Sequence, residues 1–373
     1  MRSSPIRVGI FPFGGEENPY QRIVRENLNQ QGCEVTLIER KSRLGGLEAL
    51  TSLDHLDIVS CDWMTGVYRG RSLTATTAKH LRMIYDLRKI KIPMVWTVHN
   101  IDPHEPPVSR FLDWSSEQKL VARMSGFIHF SEAGRHAWNL RHPTIEQLPN
   151  VITREGNVID EYDNTTNQVS ARQRLGIDNQ STSVAICFGN IRPYKGYAHL
   201  AEKFLHTAAN DTILMIVGPP FDQEEAARIQ ALADRDPARL RTFFERIPKD
   251  DVQVFMNAAD VGITPFLTAN NSSSVALMQS FGLPILMPRL GGLPEAALPW
   301  NSIIYEPGHL DQAINPAFEF GLEQRTKRLL AIEEIRLRDT WTGLATEFIH
   351  LFEEVLRHSE DDSQSTTAGS QSK

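Results

Sequence analysis

The chain has 373 residues, 41% of them hydrophobic and 23% charged, with a formal net charge of −7. That length exceeds what one ordinary hydrophobic core serves and points to two domains, and the acidic balance argues against a general nucleic-acid binder. Cys33, Cys61 and Cys187 are scattered without a C-x-x-C pair, which suits a reducing cytosol and excludes a disulfide or zinc framework. The N-terminal apolar run is too short for a signal peptide, and no stretch approaches the ~18 apolar residues of a membrane span, so a cytoplasmic location is expected.

Apolar, β-rich runs alternate with helically spaced stretches along the chain. Residues 6–13 read as a strand, 19–32 as a helix ending at Gly32, and 33–39 as a second strand; 56–63, 93–100 and 126–132 follow as further strands. This is the rhythm of a parallel, doubly wound α/β sheet. It breaks at about 150–180, a polar and poorly periodic stretch that reads as a connection. It restarts with strands at 183–189, 212–218, 240–245, 260–266, 283–288 and 302–305, and residues 324–359 are helical in pattern. The expected organisation is two tandem Rossmann-like domains, 1–165 and 166–325, facing across a cleft. Terminal helices at 326–358 return to the first domain, and 359–373 is a disordered polar tail.

Ligands of such sheets bind beyond the carboxyl ends of the strands, so strand ends are where function is sought. After the strand at 183–189, "FGNIRPYKG" places Arg192 and Lys195 between two glycines just before a helix. Cations there suit an anion; a solvated basic turn is the alternative. The run from Asn270 to Ser274, with Ser272, Ser273 and Ser274 preceding an apolar helix, is either an N-cap or a diphosphate cradle. In the first domain, Gly14 and Gly15 form a loop able to approach a phosphate or sugar closely, with Glu16 and Glu17 beside it. Trp63, Ser131 and Glu132 also stand at strand ends. "WTVHN" ends a strand at His99, and Asp102, His104 and Glu105 follow; this cluster offers a general base for an acceptor hydroxyl. "DRD" at 234–236 lies in a helical stretch and reads as surface charge, so no metal site is expected.

Residues 69–91 carry seven Lys or Arg and the single acid Asp86, with Leu81, Ile84, Leu87 and Ile90 at helical spacing. One reading is an amphipathic helix with its apolar side in the core. The other is docking of Arg82, Arg88 and Lys89 to an anionic membrane surface or acceptor.

The stretches "FGNIRPYKG", "VWTVHNIDPHE" and "NAADVGITPFLTANNSSSVALMQSFGLPILMPRLGGLPE", with "NPYQR" and "YRGRSL" in matching order, resemble the GT-B nucleotide-sugar glycosyltransferases, in the bacterial branch close to glycosyltransferase family 4. The resemblance spans about residues 5–310. It implies a metal-independent enzyme without cofactor. Sugar would move from a nucleoside diphosphate-sugar to a saccharide or lipid-linked saccharide, in cell-surface polysaccharide or glycolipid synthesis. It implies that Lys195, with Arg192, meets the diphosphate and that His99 meets the donor sugar. It also implies acidic residues at positions 270 and 277, where this chain has Asn270 and Leu277. That departure leaves stereochemistry and donor open and keeps an alternative in view, a non-catalytic sugar-nucleotide-binding protein or a nucleotide-sugar epimerase.

Overall fold

The computed structural model describes residues 4–15, 19–41, 46–101, 106–177 and 181–370, with 361–370 described by backbone alone. Contacts divide the chain into two units, Met1–Glu155 with Trp341–Lys373, and Gly156–Thr340. The division falls after Glu155, ahead of the expected position at 165.

In the first unit the elements run β1 (Arg7–Phe11), α1 (Pro19–Gln30), β2 (Glu34–Leu37), β3 (Ile58–Cys61), α2 (Thr65–Tyr68), α3 (Leu73–Leu87), β4 (Met94–Thr97), α4 (Arg110–Val121), β5 (Gly126–His129), α5 (Glu132–Arg141) and β6 (Asn150–Ile152). The six strands make one parallel sheet in the order β2-β1-β3-β4-β5-β6. β6 falls in the stretch read as a connection. It is a three-residue edge strand, too short to show periodicity, and pairing with β5 makes it a strand.

The second unit runs α6 (Gln168–Arg174), β7 (Ser183–Phe188), α7 (Tyr197–Thr207), β8 (Thr212–Val217), α8 (Gln223–Ala233), β9 (Leu240–Phe243), α9 (Val252–Ala258), β10 (Val261–Ile263), α10 (Ser273–Ser280), β11 (Ile285–Pro288), α11 (Leu293–Ala296), β12 (Ser302–Tyr305), α12 (Leu310–Gln324) and α13 (Arg328–Arg338). Its parallel sheet is ordered β12-β11-β10-β7-β8-β9. This is the doubly wound Rossmann order, and its direction reverses between β7 and β10. β7, β8 and β11 are buried almost throughout, as strands covered by helices on both faces must be. α8 stops at Ala233 with Asp234 as its C-cap, so the "DRD" residues occupy the turn after a helix, not its interior.

The terminal stretch read as returning to the first domain is divided in two. Ala331 and Ile335 of α13 pack on Leu298 within the second unit. α14 (Trp341–Ser370) returns to the first unit. There Leu344, Phe348, Phe352 and Val355 join Val8, Ile10, Val24 and Leu28 in one core. The helical backbone continues to Ser370, where the sequence reads as a polar tail.

Candidate active site

In the second unit the loops after β7 and β10 meet at the point where strand order reverses. Gly189 follows β7 with φ +124°, a backbone region that L side chains rarely adopt. A Cβ there would stand 2.6 Å from the Lys195 ammonium and 2.9 Å from Ser274 Oγ. The missing side chain lets a cation and a hydroxyl approach the Gly189 backbone closely, and Lys195 Nζ donates to Ser274 Oγ at 3.3 Å. Lys195 is 7% exposed. Burial, with a smaller push from Arg192, lowers its pKa to about 8, which leaves a desolvated cation without a carboxylate partner among the described residues. An anion is the kind of partner that offsets the desolvation of such a charge. Arg192 lies over the Phe221 ring, 4.9 Å from its centroid.

The serine run divides between a helix cap and a contact with Lys195. Ser272 is the N-cap of α10, its Oγ accepting from Val275 N at 3.4 Å. Ser273 is exposed at the first helical position, and Ser274 is turned inward to Lys195. Asn270 is 7% exposed, and its carbonyl accepts from Gly292 N at 2.8 Å. Leu277 belongs to the hydrophobic core.

In the first unit a second constellation gathers beyond β1, β3 and β4. His99 Nε2 lies 2.9 Å from Asp62 Oδ1. Asp62 is buried, and its other oxygen accepts from Gln21 Nε2 at 2.9 Å. Gln21 also donates to Pro12 O at 3.0 Å, and its Oε1 accepts from Gly14 N at 2.8 Å. The glycine loop, Gln21 on α1, Asp62 after β3 and His99 after β4 thus form one hydrogen-bonded chain. The His99 ring is stacked on Trp63 (centroids 4.8 Å apart, 17° between planes) and meets Tyr20 edge-on at 5.2 Å. Trp63 holds φ +42°, which costs a bulky L residue roughly 1–2 kcal/mol. Gly15, with φ +94°, has no atom within 4 Å of a Cβ position.

Asp62, Gln21 and Glu155 are the residues that strand-end reasoning missed. Asp62 directly precedes Trp63, and a carboxylate closing an apolar strand was the available signal. Burial raises the Glu155 carboxyl pKa, partly offset by His99. Nothing in its local sequence points to that. Asp102, His104, Glu105, Glu16 and Glu17 lie outside the described residues. Ser131 serves as the N-cap of α5, its side chain accepting from Gly134 N at 3.0 Å, and Glu132 pairs with Arg135.

The basic segment keeps most of its amphipathic reading: Ile90 is in the core with Ile84 and Leu87 packed against it. α3 buries Thr76, His80, Met83 and Asp86, while Leu81 is 62% exposed. Asp86 is inside because it accepts from Leu47 N and from Arg82 Nε. Arg82 also reaches Glu48 at 3.0 Å, so its charge is satisfied locally. Arg88 and Lys89 are exposed, and Lys89 stands 4.0 Å over the Tyr85 ring.

Residues 182–317 match the family described as Glycosyl transferases group 1. The chain is 22% identical over 271 residues to GDP-mannose:glycolipid 4-beta-D-mannosyltransferase of Xanthomonas campestris pv. campestris, covering 70% of each. The chain is a GT-B glycosyltransferase. A further relative of the glycosyltransferase is D-inositol 3-phosphate glycosyltransferase of Acidothermus cellulolyticus, 33% identical over 152 residues, 37% of this chain and 33% of that one. Two solved structures share its fold. Sucrose-phosphate synthase from Thermosynechococcus elongatus has a TM-score of 0.70 at 14% identity, over 95% of this chain and 100% of that one. Anabaena HepE in complex with UDP and glucose has a TM-score of 0.66 at 15% identity, over 93% and 99%. The stretch matched to the family contains Gly189, Arg192, Lys195 and Asn270–Ser274.

Proposed function

We propose that the glycosyltransferase moves a sugar from a nucleoside diphosphate-sugar to a hydroxyl of a saccharide or glycolipid acceptor, with the diphosphate seated against Gly189, Lys195 and Ser274. The observation that carries this is the buried Lys195 ammonium beside Gly189 at the strand-order reversal, with no carboxylate partner among the described residues. As the glycosidic bond breaks, negative charge grows on the diphosphate. A fixed cation, Arg192 and the N–H groups at the start of α10 meet that charge without a metal; preorganised donors of this kind supply roughly 3–4 kcal/mol each. The donor is left as a class, because one relative's name specifies GDP-mannose and one structural neighbour holds UDP. His99, held by Asp62 and packed on Trp63, is the first unit's candidate to hydrogen-bond a sugar hydroxyl. The test is release of nucleoside diphosphate from a panel of UDP- and GDP-sugars, with Lys195→Ala in parallel. The reading fails if no donor is turned over and Lys195→Ala binds nucleoside diphosphate as tightly as wild type.

The acceptor's reading as a glycolipid extends to peripheral membrane docking. Leu73, Leu81 and Tyr85 are 57%, 62% and 52% exposed on α3, beside Arg88 and Lys89, the combination that an anionic bilayer surface holds. Arg88→Glu with Lys89→Glu should abolish salt-sensitive binding to phosphatidylserine vesicles; sedimentation equal to wild type refutes docking through this face.

A further inference from the structure

A second collection of positive charge lies wholly within the first unit, around a cavity whose lining residues include none of Gln21, Asp62, Trp63 and His99. A cavity of about 910 Å³ opens between α2, the start of α3 and the segment Pro106–Val108. Arg40, Arg69, Arg71 and Lys79 line it, with Asp113 as the carboxylate among the lining residues. Asp113 is committed to Arg69 through two hydrogen bonds of 2.6 Å. Arg40, Arg71 and Lys79 enter no ion pair among the described residues. Lys79 is half-buried, and its ammonium is held in place by the carbonyls of Arg69 at 2.7 Å and Gly66 at 3.3 Å. Arg40 donates to the same Gly66 carbonyl at 3.1 Å. Burial first and Arg40 second lower the Lys79 pKa, so these cations are close enough to repel one another.

The backbone shape agrees. At Gly70 a Cβ would lie 2.7 Å from Thr76 N and 2.8 Å from the Ala75 carbonyl carbon. Gly70 therefore lets the "YRGRSL" turn press against the first turn of α3, which brings Arg69 and Arg71 to the mouth of a helix N-terminus. Ala75 and Thr76 of that turn line the cavity, and the partial positive charge of a fifteen-residue helix adds to the three cations. Like charges held around a void, with backbone carbonyls fixing one of them, are stabilised by an anion in the void.

We propose that this cavity binds a phosphate group carried by the sugar acceptor. The proposal deepens the acceptor side of the glycosyltransferase reading and rests on it for the word acceptor alone. A phosphate matches the three cations better than a carboxylate, because it offers more acceptor oxygens and more charge. Two sources share that chemistry: a phosphate at the head of a lipid-linked acceptor, and one on a soluble sugar.

The test is calorimetric titration of inorganic pyrophosphate into the full chain carrying Lys195→Gln, which weakens the other cation cradle so that this cavity dominates the binding. Adding Arg40→Gln and Arg71→Gln, both exposed positions, should weaken binding about hundredfold, about tenfold for each charged hydrogen-bond donor lost. Unchanged affinity overturns the proposal. Should Lys195→Gln not fold, the same result is read as loss of one of two pyrophosphate sites between wild type and Arg40→Gln/Arg71→Gln. Vesicles carrying phosphatidic acid, compared with phosphatidylserine at equal charge, and soluble glucose 1-phosphate then separate the sources. A preference for phosphatidic acid that the double variant loses marks a lipid-borne phosphate. Glucose 1-phosphate binding that it loses, without that preference, marks a soluble one. If neither depends on Arg40 and Arg71, the proposal falls. Donor hydrolysis without acceptor tests the glycosyltransferase reading separately. Its absence, with pyrophosphate binding still lost in the double variant, keeps the phosphate site and removes its assignment to an acceptor.

Discussion

Replacing Asp62 by Asn changes one atom and reverses the polarity of the chain that holds His99. Gly14 N donates to Gln21 Oε1, which forces Gln21 Nε2 to be the donor toward Asp62. The atom of residue 62 facing Gln21 must therefore remain an acceptor, so in Asp62→Asn the new amide N–H₂ faces His99 Nε2. In the native chain Nε2–H donates to the carboxylate, which leaves Nδ1, without a partner among the described residues, as an acceptor for a hydroxyl hydrogen. In the variant Nε2 must accept, so Nδ1 carries the proton and can take up no other. The hydrogen bond that Nε2–H gives to a charged acceptor, 2.9 Å long, is lost as well. The net worth of a hydrogen bond to a charged group is about 1.5–3 kcal/mol. Turnover of the donor should therefore fall roughly 10–150-fold. Affinity for nucleoside diphosphate should stay within about twofold, because the Lys195 cradle belongs to the other unit. The assays are initial-rate release of nucleoside diphosphate and calorimetry with the free nucleotide. Near-native turnover in a variant that melts lower would show that Asp62 and His99 serve the fold alone.

Three further outcomes are expected. Lys195 has a folded pKa of about 8, below its ordinary 10.5. Diphosphate affinity should then weaken as pH rises through 8, and binding at pH 9 should take up a proton that binding at pH 6 does not, read from calorimetry in buffers of different ionisation enthalpy. The same depression means the unfolded chain holds more protons between pH 8 and 10.5, so this group's contribution to stability rises across that window. Gly189→Ala should weaken nucleoside diphosphate binding at least tenfold, because the methyl group displaces the Lys195 ammonium and Ser274 Oγ and the φ of +124° costs roughly 1–3 kcal/mol for an L side chain; unchanged affinity would remove the diphosphate from this place. Donor turnover should persist in excess EDTA, since Lys195, Arg192 and the start of α10 meet the leaving group's charge; loss rescued by Mg²⁺ or Mn²⁺ would overturn this account of the leaving group.

The alternation of apolar runs and helical spacing determined two parallel, doubly wound sheets, because covered strands must be continuously apolar. Ten of the strand ranges needed only trimming at their ends and β12 none, since hydrogen-bonded pairing stops before the apolar pattern does. The cations Arg192 and Lys195 and the serine run were visible too, because Gly and Ser punctuation before a helix is local chemistry. What the tertiary structure decided is which side chains share a space. For Lys195 the sequence left an anion contact and a solvated turn both open, and its burial beside Gly189 and Ser274 depends on β7 and β10 being neighbours although two strands intervene in sequence. Asp62 and His99 are brought together by β3 and β4 lying side by side. Arg82 looked available for an acceptor or a lipid, yet Asp86 and Glu48 take its charge. Arg40 joins Arg71 and Lys79 around one cavity only through the fold. Periodicity and turn chemistry act over a few residues and are written in the chain. Desolvation and charge pairing depend on residues dozens of positions apart, and only the packed sheets bring them within reach.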